Sequence, residues 1–101
     1  MTANVSTVNL SDGRVITLSY GVAVAVFVPR GTVLTHPPGH TEAGKWWVEN
    51  ELPYGYLKTD RAYSSTSSRH ANLYARQNGS MAKPVPHAVF RQLVAPIETE
   101  A

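Results

Sequence analysis

The stretch 63-YSSTSSRHANLYARQNG-79 is where the chain changes character, and its reading decides the fold. On a helical wheel of residues 67–78, Arg69, Asn72 and Arg76 fall within one narrow arc, and His70, Ala71, Leu73, Tyr74 and Ala75 occupy most of the rest. Asn78-Gly79 is a helix stop, because both residues tolerate the left-handed conformation. Five hydroxyl residues, Ser64, Ser65, Thr66, Ser67 and Ser68, precede Arg69. One of Ser64, Ser65, Thr66 or Ser67 is expected to cap the helix, since a side-chain oxygen accepts the unpaired N–H groups of a first turn. No Glu or Gln follows at the spacing of a reciprocal capping box. For the remaining hydroxyls, three readings stay open. They are solvated loop, they are disordered, or they join Arg69 in holding a phosphate or carboxylate at the helix N-terminus.

Downstream, Ser80–Lys83 reads as a connector. Pro84 and Pro86 bracket the start of 87-HAVFRQLV-94, where Val89, Phe90, Leu93 and Val94 share one face at helical spacing, opposite Arg91 and Gln92. Residues 96–101 are expected to fray. Upstream the pattern is β. Residues 4–10 and 15–20 read as a hairpin about Asp12-Gly13. In 22-VAVAVFV-28 both faces are apolar, Val22, Val24, Val26 and Val28 on one and Ala23, Ala25 and Phe27 on the other, as in a central strand. Gly21 is either a bulge in one long bent strand 15–28 or a turn between two. The bulge is preferred, because a single Gly makes a poor tight turn. Thr32–Thr35 and 46-WWVEN-50 are read as short strands, 36-HPPGHTEAGK-45 as a loop, and 54-YGYLKTD-60 as a strand with Tyr56 and Leu57 on opposite faces. Strands followed by two helices give an α+β fold: a small antiparallel sheet of three to five strands, with two C-terminal helices packed on one face. Residues 1–101 form a single domain.

The segment 63-YSSTSSRHANLYA-75 resembles a motif of an uncharacterised family of small tailed-phage proteins, Tyr-Ser-x-Thr-Thr-Ser-Arg/Lys-His-x-Asn followed by an aromatic. Tyr63, Ser64, Thr66, Ser68, Arg69, His70, Asn72 and Tyr74 match it. Ser67 stands where the family more often has Thr, and Ala71 where it has a larger aliphatic residue. The stretch 19-SYGVAVA-25 is similar to a second family element, Ser-Tyr-x-x-x-Val-Ala. The resemblance covers about half the chain, and residues 31–53 look like a loop-rich insertion. It implies a bacteriophage setting, a viral accessory protein and no assigned chemistry.

Composition narrows the function. Apolar residues make up 43% and charged residues 16%, a globular balance. Without Cys there are no disulfides, thiolate zinc sites or cysteine nucleophiles. The first ten residues lack a basic start and an apolar block, so no signal peptide is expected. The longest apolar run, 20-YGVAVAVFV-28, is far short of the ~20 residues of a membrane-spanning helix. The expected location is the cytoplasm, of the host if the protein is phage-encoded, with no membrane partner. Nine basic against seven acidic residues give a net charge of only +2. Yet residues 61–91 hold Arg61, Arg69, Arg76, Lys83 and Arg91 and no acid.

Candidate sites follow. Ser64–Ser68 with Arg69, Asn72 and Arg76 are candidates for anion or nucleic-acid contact. Trp46, Trp47, Tyr54 and Tyr56 are candidates for an interaction surface, because exposed aromatics mark binding sites. On a strand Trp46 and Trp47 point to opposite faces. Either both cover the edge of the core, or one of them exposed beside Lys45 and Lys58 makes a stacking platform for single-stranded nucleic acid. His36 and His40 lack a third ligand and a helix, so no metal is expected. His70 is expected beside Tyr74 with one ring nitrogen hydrogen-bonded. No catalytic residue and no cofactor can be named. The first expectation is a non-enzymatic interaction module docking on a host or viral protein. The second is a nucleic-acid binder contacting phosphate through the basic helix 67–78 and its hydroxyl-rich N-terminus.

Overall fold

The computed structural model of the chain describes residues 4–50, 54–61 and 65–95, and of residues 65–68 the backbone alone. Among these the elements are β1 (Val5–Asn9), β2 (Val15–Ser19), β3 (Val22–Val28), α1 (Glu42–Glu49), β4 (Gly55–Thr59), α2 (Ser65–Gln77), β5 (Lys83–Val85) and α3 (His87–Val94). The strands form one sheet in the order β1-β2-β3-β4-β5. The α+β class, the sheet and the two C-terminal helices are as the sequence led one to expect.

The first hairpin forms about Asp12, whose carboxylate accepts from the Arg14 backbone N–H at 3.1 Å and from Arg14 Nε at 2.8 Å. The next connection differs from the expectation. Residues 15–28 are two antiparallel strands joined by Tyr20-Gly21, not one bent strand. Tyr20 and Gly21 both take positive φ, 53° and 80°. That is the requirement of a two-residue turn matching the twist of its strands. The preference for a bulge at Gly21 rested on a single permissive residue. Tyr20 supplies the second by entering the left-handed region itself.

A bulge exists, but within the pairing. Thr17 pairs with Ala25 and Leu18 with Ala23, which leaves Val24 as the extra residue. The bulge changes the faces of β3. Val24 and Ala25 are buried together with Ala71 of α2, whereas Ala23, Val26 and Val28 join the core on the other side. The simple alternation expected for this strand therefore breaks at one residue.

Beyond β3 the sheet continues antiparallel into β4, and β4 then pairs with β5 in parallel. A wholly antiparallel sheet is thus corrected at its last strand. Parallel neighbours need a crossover connection, and α2 supplies it. β5 takes in Lys83, expected as the end of the connector 80–83, and Pro84, expected to bracket the start of the next helix and accepted by a strand only at an edge.

The two C-terminal helices lie on opposite faces rather than on one. Val89, Phe90, Leu93 and Val94 of α3 pack with Ile16, Val26, Val28, Leu57 and Val85. Ala71 of α2 packs against Val24 and Ala25. The reason is the register. β3 is apolar on both sides, Val24, Ala25 and Phe27 toward α2 and Ala23, Val26 and Val28 toward α3, so both faces need cover. Helix α3 is tied at both ends by distant side chains. Asp60 Oδ1 accepts from the His87 N–H at 3.1 Å, and Arg14 Nη1 donates to the Leu93 carbonyl at 2.6 Å. Helix α2 ends as expected. Gly79 (φ 73°) permits Ser80 N–H to reach Ala75 O at 2.8 Å and Gly79 N–H to reach Arg76 O at 3.0 Å.

The region 31–53 holds the largest correction. Residues 46–49, expected as strand, belong to α1, and Thr32–Thr35 form no strand. Thr41 caps α1: its Oγ1 accepts from Gly44 N–H at 3.0 Å and donates to Pro38 O at 2.6 Å. Gly44 is required there, because a Cβ would run into the Pro38 carbonyl. The segment also has the right period, with Ala43 and Trp47 four apart on the buried side. Its Gly and two Trp are weak helix formers, which hid that period. Residues 51–53 and the tail 96–101 lie outside the described residues.

Candidate functional site

The aromatic candidates divide between the two faces of the sheet. Tyr56 stands on the α2 face, its ring 4.7 Å from Phe27 and 5.9 Å from Tyr74. Trp46, Trp47 and Tyr54 stand on the other face and line one groove. Helix α1 carries Trp46 and Trp47 about 100° apart rather than on opposed faces. Trp47 is buried, at 7% exposure, and Trp46 is half-buried. Trp47 belongs to the core and Trp46 packs against it.

The groove lies between α1 and the β4–β5 end of the sheet, with a volume of about 870 Å³. Leu57 and Val85, both core residues, form its floor. Tyr54 is fixed at one end, its hydroxyl donating to Thr32 O at 3.2 Å. Asn50 closes the α1 terminus, its Nδ2 donating to Trp46 O at 2.9 Å. Two cations line the rim, Arg30 and Lys83, with Glu49 as the acid. The sheet order explains how cations so far apart in sequence meet. Arg30 follows β3 and Lys83 begins β5, and these strands flank β4 on either side. Neither cation was placed in a site from the sequence: Lys83 stood out only as one basic residue of the stretch 61–91, and Arg30 sits in no motif.

Lys58, expected beside the tryptophans, belongs to the opposite face. It neighbours Leu57 in β4 and therefore points away from the core side that Leu57 occupies. Lys45 is exposed on α1. The stacking platform built on Lys45 and Lys58 together is therefore not assembled.

On α2, Arg69 and Arg76 are exposed and Asn72 is half-buried. Arg69 and Arg76 are seven apart on one stripe, turned away from the buried Ala71 and Ala75. Ser64 lies outside the described residues, as do the side chains of Ser65, Thr66, Ser67 and Ser68, on which the capping and anion-site expectations fall. His70 has one ring nitrogen hydrogen-bonded, as expected. Its Nδ1 is hydrogen-bonded to the buried Ser19 Oγ at 2.7 Å, and its ring faces Tyr20 at 6.0 Å.

A second polar junction went unread in the sequence. Thr59 Oγ1 and His87 Nδ1 are hydrogen-bonded at 2.7 Å, and the Arg61 N–H donates to the same Oγ1 at 3.1 Å. The partners are 28 residues apart, beyond any local pattern. His36 stands edge-on to Trp47 at 5.1 Å, and its Nδ1 donates to Pro37 O at 2.6 Å. Among the described residues no three His, Cys, Asp or Glu come together as a metal site, and no helix is long and apolar enough to cross a membrane.

Comparison of the chain with protein-family models, with characterised proteins and with solved structures finds no match.

Proposed function

We propose that the protein is a non-enzymatic interaction module, an accessory protein of the phage type that its 63–75 motif resembles. It docks a segment of a host or viral protein in the groove between α1 and the β4–β5 end of the sheet. The observation that carries this reading is the groove itself. An apolar floor, half-buried aromatic walls and a polar rim are the anatomy of a protein-binding hot spot. Its volume is also in the range of specific small sites, roughly 300–1,000 Å³. The test is a pull-down from bacterial lysate with the wild-type chain and with a Trp46→Ala/Lys83→Glu variant. A protein partner that survives nuclease and high salt with the wild type and is lost with the variant supports the reading. A partner retained by the variant, or released by nuclease, overturns it.

The exposed Arg69 and Arg76 favour a second reading, nucleic-acid binding through α2, which carries no acid along its length. Phosphate contacts release counterions, so such binding weakens steeply with salt. Fluorescence titration with a mixed-sequence oligonucleotide tests it. A steep salt slope that shrinks in Arg69→Ala/Arg76→Ala is the expected result. No binding at low salt removes the reading.

A further inference from the structure

The two edges of the sheet are built differently. The β5 edge is short, three residues, and carries exposed Lys83 and Pro84. Charge, proline and brevity are the usual means of blocking an edge against further strands. The β1 edge has none of them. It is five residues long, Val5-Ser6-Thr7-Val8-Asn9, with an unbroken register against β2. The sequence holds no charged side chain before Asp12 and no proline before Pro29. Among the described residues, β2 is the one strand neighbour of β1.

The hydrogen-bond phase of β1 can be read from its two ends. Tyr20 N–H donates to Asn4 O at 2.7 Å, and Leu10 N–H donates to Arg14 O at 2.8 Å. Bonded and non-bonded pairs alternate along an antiparallel ladder. Ser6 and Val8 therefore also face β2. Val5, Thr7 and Asn9 turn their N–H and C=O groups outward.

We propose that β1 pairs antiparallel with β1 of a second copy about a two-fold axis at Thr7, joining the two sheets into one. The outward residues are symmetric about Thr7. In this register Thr7 opposes Thr7 of its mate and Val5 opposes Asn9, and each pair exchanges both N–H···O bonds. A two-fold seam brings identical side chains together, so any charge near its centre would repel itself. This strand has no charge to repel. Thr–Thr is a favourable cross-strand pair, and on the other face Ser6 meets Val8 without conflict. Sheet order then leaves the grooves free at the far ends, so the dimer carries two. A partner with two docking segments gains by avidity.

Sedimentation equilibrium of the full chain tests the proposal. A reversible dimer is expected, with a dissociation constant on the order of 10–100 μM, since a single-strand seam is a small interface. Thr7→Pro removes an outward N–H and leaves the β2 ladder intact, so it weakens the dimer at least about tenfold. Thr7→Lys places like charges on the axis and has the same effect. Should either variant fold poorly, amide exchange in the wild type decides. Protection at Val5, Thr7 and Asn9 rises with protein concentration, while that at Ser6 and Val8 does not change. A wild-type monomer at millimolar concentration overturns the proposal, even if a foreign strand binds the edge. So does a dimer that both variants leave intact, or concentration-independent exchange at Thr7.

Discussion

The two faces of the sheet are covered by different means. On one, α3 buries Val89, Phe90, Leu93 and Val94 completely against Ile16, Val26, Val28 and Val85, all at 2% exposure or less. On the other, α2 offers Ala71 and Ala75 to Ala25, Thr17 and the bulged Val24, and a buried Ser19 meets His70. Large interlocking side chains give hydrophobic stabilisation that scales with buried area, about 25 cal/mol per Å². Small residues give close backbone approach with little area, and a polar pair then fixes where the helix sits. The α3 face therefore stores most of the stability. The α2 face is the one on which a surface can vary without unfolding the protein.

The contrast can be broken most directly at Phe90. Phe90→Ala leaves a cavity in the α3 layer and should cost about 3–5 kcal/mol, read as a lower urea midpoint. If it costs no more than a substitution under α2, the two faces are energetically alike and the contrast fails. Ala75→Leu probes the tightness of the other layer. Ala75 is 2% exposed against the sheet, so overpacking should cost about 1–3 kcal/mol by chemical denaturation. A neutral result would mean that α2 rides loosely. Ser19→Ala removes the hydrogen bond to His70 and should cost about 1–2 kcal/mol. The His70 ring resonances should also shift relative to those of Tyr20, whereas the α3 methyl resonances stay in place. The smallest effect is expected at the turn beneath His70. Tyr20→Asn relieves a left-handed non-glycine residue and should raise stability by up to about 1 kcal/mol, measured as a higher Tm.

Several elements were legible because their signals are local. Asp12-Gly13 between two alternating runs specified the first hairpin. The apolar stripe of residues 89–94 gave α3 its buried face residue for residue, and Asn78-Gly79 ended α2. Of the candidate site, Trp46, Trp47 and Tyr54 were legible as aromatics but not as one groove. Lys83 was legible only as one basic residue of the acid-free stretch 61–91, and Arg30 was not legible at all. Tyr56 was grouped with the tryptophans by proximity in sequence, and alternation along β4 sent it to the other face.

What the chain determined by itself, then, is what a few neighbouring residues can enforce: turn chemistry, capping and the period of a strongly amphipathic helix. Tertiary structure decided whether Trp46-Trp47 lies on a helix or a strand, since a glycine that weakens the helix is also the residue that lets α1 approach Pro38. It decided the parallel pairing of β5, the displaced residue in β3 and the opposite placement of the last two helices. Each of these depends on which distant backbone a segment meets, and short segments with mixed propensity have no local energy gap large enough to choose before that meeting occurs.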